Sequence, residues 1–226
     1  MFATRLVISV LVVFGLATPG QAPAPLEVSR TVDLSSPARL DAWTLDGNGG
    51  WTITDGLLVL EKPGVPGGPI RRPGALAILQ TPALADATLE AEIRSDAPED
   101  VVHRDVLLVA GWQSPTRLYY AHLSAVRDNV HNGIFIVDGA DRKRIDDESQ
   151  RPALKDKGWH KVRLVRTAAT GRLEVFVDGE TTPIMTATDR TIPSGRMGVG
   201  SFDDPAAFRG IRVHGVVPAP QPGATP

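Results

Sequence analysis

Short runs of alternating apolar and polar residues follow one another through the middle of the chain. In segment 87–94 every second residue is apolar, and segments 159–166 and 172–179 alternate in a similar way. A period of two is typical of β-strands, whose successive side chains point to opposite faces of a sheet. Segment 105–112 is apolar at both sets of positions, which predicts a central strand that is covered on both sides.

Turn signals separate these runs at a regular spacing. Asp-Gly pairs stand at 55–56, 138–139 and 178–179, and such a pair between alternating runs is a strong signal for a tight hairpin. Turn signals recur roughly every 8 to 12 residues, a spacing typical of β-sandwiches. Together they predict an all-β domain over residues 26–216, built as an antiparallel two-sheet β-sandwich.

The two ends of the chain have a different composition. Arg5 precedes an apolar run over residues 6–16, and small residues follow it, with cleavage expected between Ala17 and Ala22. This pattern predicts a signal peptide over residues 1–22 and a secreted or periplasmic protein, and the alternative is an uncleaved N-terminal anchor. The Pro-rich segment 217–226 is predicted to be a disordered tail or a linker.

Composition narrows the classes of partner. The formal net charge of the 226 residues is -2, with both signs spread along the chain, so neither nucleic acid nor an anionic membrane surface is an expected partner. The absence of cysteine excludes disulfides, thiolate metal sites, cysteine nucleophiles and a lipid-modified cysteine. The sequence gives no prediction of oligomeric state.

Three stretches carry a resemblance to known domains. Segment 159–180, WHKVRLVRTAATGRLEVFVDGE, resembles a strand and hairpin of laminin-G-like and concanavalin A-like jelly rolls. Segment 50–60, GWTITDGLLVL, is similar to the opening of secreted 3-keto-disaccharide hydrolase domains, and 195–215 is similar to their end. The resemblance covers about residues 41–215 and implies a jelly-roll fold. It assigns no catalytic residue, because that family's catalytic motifs do not map onto this chain, and the fold hosts lectins, hydrolases and adhesion domains alike.

Candidate chemistry concentrates between residues 111 and 139. In the strand RLYYAHLS, Tyr120, His122 and Ser124 share one face, and a hairpin would bring His131 near His122. Aromatic rings and planar polar groups are what a sugar requires. We therefore expect a glycan groove on the concave sheet, with His122 and His131 as candidate catalytic residues. The candidate substrate-binding residues are Trp112, Gln113, Tyr120, Asp128, Asn132, Arg142 and Arg144. The alternative is that the tyrosines cap the core and the histidines bond to loop backbone.

Acidic residues offer two further candidates. Asp203 and Asp204 adjoin in a loop and are predicted to hold a structural calcium ion, the alternative being an Asp turn. Glu90 and Glu92 share a strand face, but their segment lacks the Glu-x-Asp-x-x-Glu pattern of jelly-roll glucanases, so a charged outer face is the favoured interpretation. A metal site on His122, His131 and Asp128 is a weaker alternative.

Two functions remain open. The favoured hypothesis is a secreted carbohydrate-active enzyme that cleaves a glycosidic bond in an oligosaccharide held on the concave sheet. The alternative is a non-catalytic glycan-binding or adhesion module, supported by the same groove and by the missing glucanase motif. In both cases the expected partner is a carbohydrate.

Overall fold

The computed structural model describes residues 25–149 and 151–219, and nearly all of its regular structure is β-strand. A short 3₁₀ helix, Pro37–Ala42, precedes the second strand. None of the helical structure in the described residues is long and apolar enough to cross a membrane. The strands are β1 (Glu27–Thr31), β2 (Trp43–Gly47), β3 (Gly50–Thr54), β4 (Leu57–Lys62), β5 (Ala75–Leu79), β6 (Ala87–Ser95), β7 (Asp105–Ser114), β8 (Arg117–Ser124), β9 (Gly133–Asp138), β10 (Lys143–Arg144), β11 (Asp146–Ser149), β12 (His160–Thr167), β13 (Arg172–Val177), β14 (Met185–Thr188), β15 (Arg196–Ser201) and β16 (Ala206–Val216).

The strands form two antiparallel sheets. The nine-stranded sheet has the order β11-β14-β13-β12-β6-β16-β4-β3, with β1 added beside β16. The seven-stranded sheet has the order β10-β9-β8-β7-β15-β5-β2. Neighbours in these orders are often distant in sequence, so long connections pass from one sheet to the other. This arrangement confirms the predicted two-sheet β-sandwich.

The predicted Asp-Gly turns differ in detail. Asp55 and Gly56 both have positive φ, of 51° and 74°, and join β3 to β4 as the two-residue hairpin that the sequence predicts. Asp178 and Gly179 also both have positive φ, but they open a longer connection to β14. At the third pair only Gly139 has positive φ. Asp tolerates this region poorly compared with Gly, so two of the three turns hold a non-glycine residue at a cost in backbone energy.

The main core lies between the two sheets. Strand β6 shows how the sequence builds it, because its residues alternate strictly between buried and half-buried positions, and Leu89 and Ile93 are fully buried. Burying each such side chain stabilises the fold by about 1.5–3 kcal/mol. The alternation predicted from segment 87–94 is therefore the alternation between core and solvent.

A second apolar cluster lies on the outer face of the seven-stranded sheet. Strand β8 is buried on both faces, with Tyr119 in the main core and Tyr120 in this outer cluster. Ile70 and Trp112 pack against the cluster from outside. This confirms that β7 is covered on both sides. The buried members of the outer cluster are Leu76, Ile78, Leu107, Val109, Leu118, Tyr120, Phe135 and Val137.

The segment 63–74, which we call the strap, contributes to this cover. Arg72 makes a buried two-point ion pair with Asp46 of the sheet, at 3.1 and 3.2 Å. At its end, Gly74 N donates to Phe202 O at 3.1 Å, and the backbone of Arg71 bonds to residues 141 and 142. The strap is thus tied to strand β2, to the loop before β10 and to the loop after β15, and it places Ile70 over the outer cluster.

The ends of the chain are only partly described. The predicted signal peptide, residues 1–22, lies outside the described residues, as do residues 220–226 of the predicted tail. Val217, at the start of that tail, donates its N–H to Leu26 O at 2.9 Å and so continues the pairing of β16 with β1. The boundary between domain and tail, like the signal peptide, stays a prediction.

Candidate functional site

Histidine and aspartate side chains gather at one end of the seven-stranded sheet. Asp105 begins β7 opposite Ser124, the last residue of β8, and β15 ends beside them at Ser201. Since antiparallel neighbours run in opposite directions, the loops before β7, after β8 and after β15 meet at this end of the sheet. We call the group the histidine–aspartate rim. Its members are His103, Asp105, His122, Asp128, His131, Asp203 and Asp204.

His122 is buried, with only 1% of its side chain exposed, and both of its ring nitrogens face charged groups. Arg142 Nη1 lies 3.2 Å from His122 Nδ1. A guanidinium group only donates, so Nδ1 accepts and the ring proton resides on Nε2. Nε2 lies 3.2 Å from Asp105 Oδ2, close enough for electrostatic attraction although the angle is poor for a hydrogen bond. His122 therefore links Arg142 to Asp105 rather than presenting a free nitrogen.

Arg142 is held from several sides. Its guanidinium lies 4.3 Å from the ring centre of Phe202 and 4.8 Å from that of Phe135, and Nη1 also donates to the Tyr120 hydroxyl at 3.2 Å. Burial raises the pKa of Tyr120 despite the nearby positive charge of Arg142. Tyr120 is thus a neutral, buried acceptor, and Arg142 joins the rim to the outer cluster.

Three aspartates of the rim, Asp105, Asp203 and Asp204, lie together, with carboxylate oxygens within 4.8 Å of one another. Asp105 Oδ1 accepts from the Ser201 hydroxyl at 3.0 Å and from Phe202 N at 2.9 Å, while Asp204 Oδ2 accepts from Asp105 N at 2.7 Å. Although burial opposes it, the neighbouring His122 together with these donors holds the pKa of Asp105 below its usual value. These bonds fix the turn that follows β15.

The crowding of these carboxyl groups raises the pKa values of the other two aspartates. Burial and the charge of Asp105 raise the pKa of Asp204 to about 6. Burial and Asp105 also raise the pKa of Asp203, whose side chain is exposed at the rim. A solvent-accessible carboxyl with a raised pKa is the type of group that serves as a general acid near neutral pH.

His131 and Asp128 form an oriented pair beside them. His131 Nδ1 lies 2.8 Å from Asp128 Oδ2, while Asp128 Oδ1 accepts from the backbone N–H groups of Val130 and His131, both at 2.8 Å. Partial burial opposes ionisation, but the His131 ring and these N–H groups lower the pKa of Asp128 to about 2. The ring of His103 stacks on His131, with centroids 4.7 Å apart and planes at 13°.

The loop that carries this pair is fixed by three residues. Asn132 has φ of 53°, and its side-chain oxygen accepts from Ala153 N at 2.8 Å. Arg144 donates to the backbone carbonyls of Asp128 and Asn132. At Gly133 a Cβ atom would lie 2.8 Å from the Arg144 guanidinium carbon, so only glycine leaves room for this clamp. Asn132 and Arg144, predicted as substrate-binding residues, thus both direct hydrogen bonds to loop backbone in this structure.

The structure thus brings most of the predicted site residues together, but not all. His122, His131, Asp128, Asn132, Arg142, Arg144, Tyr120, Asp203 and Asp204 lie at or directly behind the rim. Trp112 and Gln113 lie at the other end of β7, roughly 25 Å from Asp105 at the rise of a β-strand. There Gln113 Nε2 donates to Ser194 O at 2.7 Å.

The expected groove along the concave sheet is where the structure departs most from the sequence interpretation. The middle of that face is filled by the outer cluster, and Tyr120, His122 and Asn132 are 0–1% exposed. Tyr120 and Asn132 therefore support the rim from behind, and His122 is a buried member of it. The exposed chemistry belongs to Asp128, Asp203 and His103, together with His131, which is half-buried.

Sequence reasoning missed two members of the rim. His103 stands in a loop and Asp105 opens an apolar strand, and neither position carries a local motif. The one available signal was the position of these two polar residues, just before and at the start of a strand that is otherwise buried on both faces. A charged residue there requires partners from other loops.

The predicted carboxylate pair of β6 lies on the opposite side of the molecule. Glu92 accepts from Arg209 Nε and Nη2 at 2.9 and 2.7 Å, and the Arg209 guanidinium stacks on Trp159 at 4.2 Å. In register, Glu90 stands between Arg163 and Arg212 of the neighbouring strands. This is the charged outer face that the sequence favoured.

Comparison with known proteins finds likeness in structure only. No family model matches the sequence, and no curated protein matches it. Winged bean acidic lectin complexed with methyl-α-D-galactose has a TM-score of 0.59 at 9% identity, covering 84% of this chain and 99% of the lectin. The carbohydrate-binding module CBM66 from Bacillus subtilis has a TM-score of 0.57 at 15% identity, covering 76% and 94%. A provisionally assigned glycosyl hydrolase from Parabacteroides distasonis has a TM-score of 0.55 at 12% identity, covering 82% and 98%.

These likenesses define the class of the protein by fold. The chain has the concanavalin A-like jelly-roll fold of lectins and carbohydrate-binding modules, as its sequence resemblance implied. The finer resemblance to 3-keto-disaccharide hydrolases stays a prediction. Activity cannot be transferred from fold alone, because this fold carries many functions.

Proposed function

We propose that the protein binds an oligosaccharide at the histidine–aspartate rim and hydrolyses a glycosidic bond there. The observation that carries this proposal is the arrangement of the exposed Asp203 carboxyl next to the oriented Asp128–His131 pair. Asp203 lies near enough to His131 for the two to interact electrostatically. Two groups of this kind, close together at the protein surface, supply the proton donor and the proton acceptor that glycoside cleavage requires.

Asp203 is the proton donor in this scheme. Burial and the neighbouring Asp105 favour its protonated form, so it retains a proton for the leaving-group oxygen closer to neutral pH than an ordinary aspartate does. His131 is the acceptor. With Nδ1 bonded to Asp128, its Nε2 is left to orient a water molecule and take up its proton. Water adds to the anomeric carbon as the bond to the leaving oxygen breaks, and Asp203 supplies that oxygen's proton.

Apolar and planar groups around these side chains supply sugar contacts. Val102 and Val130 are 60% and 37% exposed, although both are apolar, and Phe202 is partly exposed beside Asp203. Sugars pack the apolar faces of their rings on such surfaces, and charged planar groups bond to their hydroxyls. Structural neighbours that include a lectin and a carbohydrate-binding module support a carbohydrate as the ligand.

A second candidate function is glycan binding without cleavage. The observation that favours it is the burial of His122, which removes one of the two expected catalytic histidines from the surface.

The calcium ion expected at Asp203 and Asp204 also stays a prediction. Asp105 lies close enough to be a third ligand, but its Oδ1 and Asp204 Oδ2 already accept hydrogen bonds from the protein.

Product analysis by mass spectrometry tests the proposed function. The purified protein is incubated with a panel of oligosaccharides that includes oxidised 3-keto glycosides, with and without calcium. We expect new fragments, and at least 100-fold less product from Asp203→Asn and from His131→Ala. The matched control is Asp41→Asn, an exposed carboxylate without hydrogen-bonding partners among the described residues. Intact glycans throughout, with saturable binding, would leave the binding module as the function.

We also propose that the protein acts outside the cytoplasm, after removal of residues 1–22. Support comes from the sequence of its first residues alone. N-terminal sequencing of the protein recovered from the periplasm or medium checks this: a new terminus near Ala22 is expected, and an intact Met1 would contradict it.

A further inference from the structure

We propose that His103, Asp128 and His131 form a binding site for a divalent transition-metal ion such as Zn²⁺. Metal binding at these residues stands without the proposed function, whereas any use of the ion in hydrolysis rests on it. The calcium ion expected from the sequence is a separate prediction, made for Asp203 and Asp204.

The geometry is close to that of a three-ligand site. Each of the three side chains offers one donor atom, and these atoms all lie within 4.8 Å of one another. Asp128 Oδ2 and His131 Nδ1 are already 2.8 Å apart. Ligands on one tetrahedral zinc ion lie about 3.3 Å apart, given zinc–ligand distances of about 2.0–2.1 Å. An ion can therefore replace the proton between Asp128 and His131 with a movement of less than about 1 Å, and His103 supplies the third donor.

The elements that carry these ligands permit this adjustment. His103 and Asp128 stand in loops and are exposed, so the His103 ring can turn towards the ion without disturbing the core. Asp128 and His131 are the more fixed ligands, because Arg144 donates to the backbone carbonyls of both. Three protein ligands around an accessible point leave a fourth coordination position for water, which is the arrangement of a catalytic rather than a structural zinc site.

The donor set determines which ions the site prefers. Two imidazoles and one carboxylate suit Zn²⁺, Co²⁺, Ni²⁺ or Cu²⁺, whereas Ca²⁺ and Mg²⁺ prefer oxygen ligands throughout. The neighbouring Asp105, Asp203 and Asp204 form an all-oxygen group, and they add negative charge that attracts a cation to this end of the sheet. The two groups therefore predict different ion preferences at neighbouring positions.

A bound ion would change which group holds the attacking water in the proposed reaction. If the ion occupies His131 Nδ1, the water that attacks the sugar is held by the ion rather than by His131 Nε2, and Asp203 keeps its role as proton donor. Metal-bound water loses its proton far more readily than free water. Hydrolysis that persists after complete metal removal would leave the proposed function intact and restrict this inference to binding.

Calorimetric titration of the tag-free protein with ZnCl₂, after chelator treatment and its removal, tests the site. We expect one ion per chain, and at least 10-fold weaker binding by His103→Ala and by His131→Ala. The matched control is His214→Ala, which removes an exposed histidine on β16, and it should bind as the wild type does. Asp204→Asn should also leave zinc binding within about threefold, because it alters only the all-oxygen group.

Absorption spectroscopy with CoCl₂ provides a second readout that does not depend on affinity alone. Coordination by nitrogen and oxygen ligands is expected to produce visible absorption bands of Co²⁺ that disappear in His103→Ala. Circular dichroism of each variant confirms that it remains folded. Equal zinc affinity in the wild type and His103→Ala, or absence of binding at 1:1 stoichiometry in the wild type, would overturn the inference.

Discussion

The outer faces of the two sheets differ sharply, although both belong to one sandwich. On the nine-stranded sheet, strand β6 alternates between buried and half-buried residues, and three of its four half-buried side chains are charged. On the seven-stranded sheet, strands β7 and β8 are buried on both faces, and the strap crosses above them. The first face meets solvent and the second is an additional layer of core. The accessible polar side chains of the seven-stranded sheet therefore lie at one end of its strands, in the histidine–aspartate rim.

The largest expected effect comes from truncating the same residue type on each face. Phe135 is 2% exposed and stacks on Tyr120 with ring centroids 5.3 Å apart, whereas Phe176 is only partly buried beneath Arg163. We expect Phe135→Ala to reduce the free energy of unfolding by about 3–5 kcal/mol, because it opens a cavity under the strap. Phe176→Ala should cost about 1 kcal/mol. Urea denaturation measures both, and similar losses would show that the two faces are equally solvated.

A smaller effect on stability is expected from a substitution at Gly74, the last residue of the strap. A Cβ atom on Gly74 would lie 2.2 Å from Gly64 O and 2.7 Å from Phe202 O, whereas a Cβ on Gly67 would meet nothing within 4 Å. Gly74→Ala should therefore destabilise the fold by about 2 kcal/mol through steric conflict. Gly67→Ala, the matched control, should change stability by less than about 0.5 kcal/mol. An unchanged melting temperature in Gly74→Ala would contradict close packing of the strap.

The smallest effect concerns the pH dependence of the rim. Because the pKa of Asp204 is raised to about 6, the folded state binds its proton more tightly than the unfolded chain, in which the carboxyl titrates near its usual 3.8. This contribution to stability is complete below about pH 4 and is lost as pH rises towards 6.

Replacing Asp204 with Asn tests this contribution, because an amide keeps an acceptor for Asp105 N but cannot ionise. With solvent screening allowed for, Asp204→Asn should be about 1 kcal/mol more stable than the wild type at pH 7.5. The difference should vanish near pH 4. Thermal unfolding in EDTA, which removes any calcium, measures it at each pH. A variant less stable than the wild type at pH 7.5 would mean that the Asp204 carboxylate is held favourably.

The difference between the two faces also explains which features could be predicted from sequence. The period-two pattern of β6 and the doubly apolar segment of β7 were local signals, and each determined whether its strand had one covered face or two. The strap has no such signal. Its Pro and Gly residues are typical of any exposed loop, and its position depends on the distant partners Asp46, Asp141 and Phe202.

The same distinction applies to the rim. The proximity of His122 to His131 followed from the hairpin, and their ring centroids are 5.5 Å apart. The burial of His122 did not follow, because it depends on Arg142 and Phe202, which arrive from other parts of the chain. Roles that depend on solvent access are therefore the least predictable part of the site.

The most direct test of the rim as the ligand site is NMR of the histidine rings during titration with the oligosaccharide panel. The chain has five histidines, so their ring signals can be resolved and assigned by single substitutions. We predict that a bound glycan shifts the signals of His103 and His131, and leaves those of His160 and His214, which lie on the nine-stranded sheet, unchanged. Binding that shifts only His160 or His214, or that is unchanged in Asp203→Asn and His131→Ala together, would contradict a ligand site at the rim.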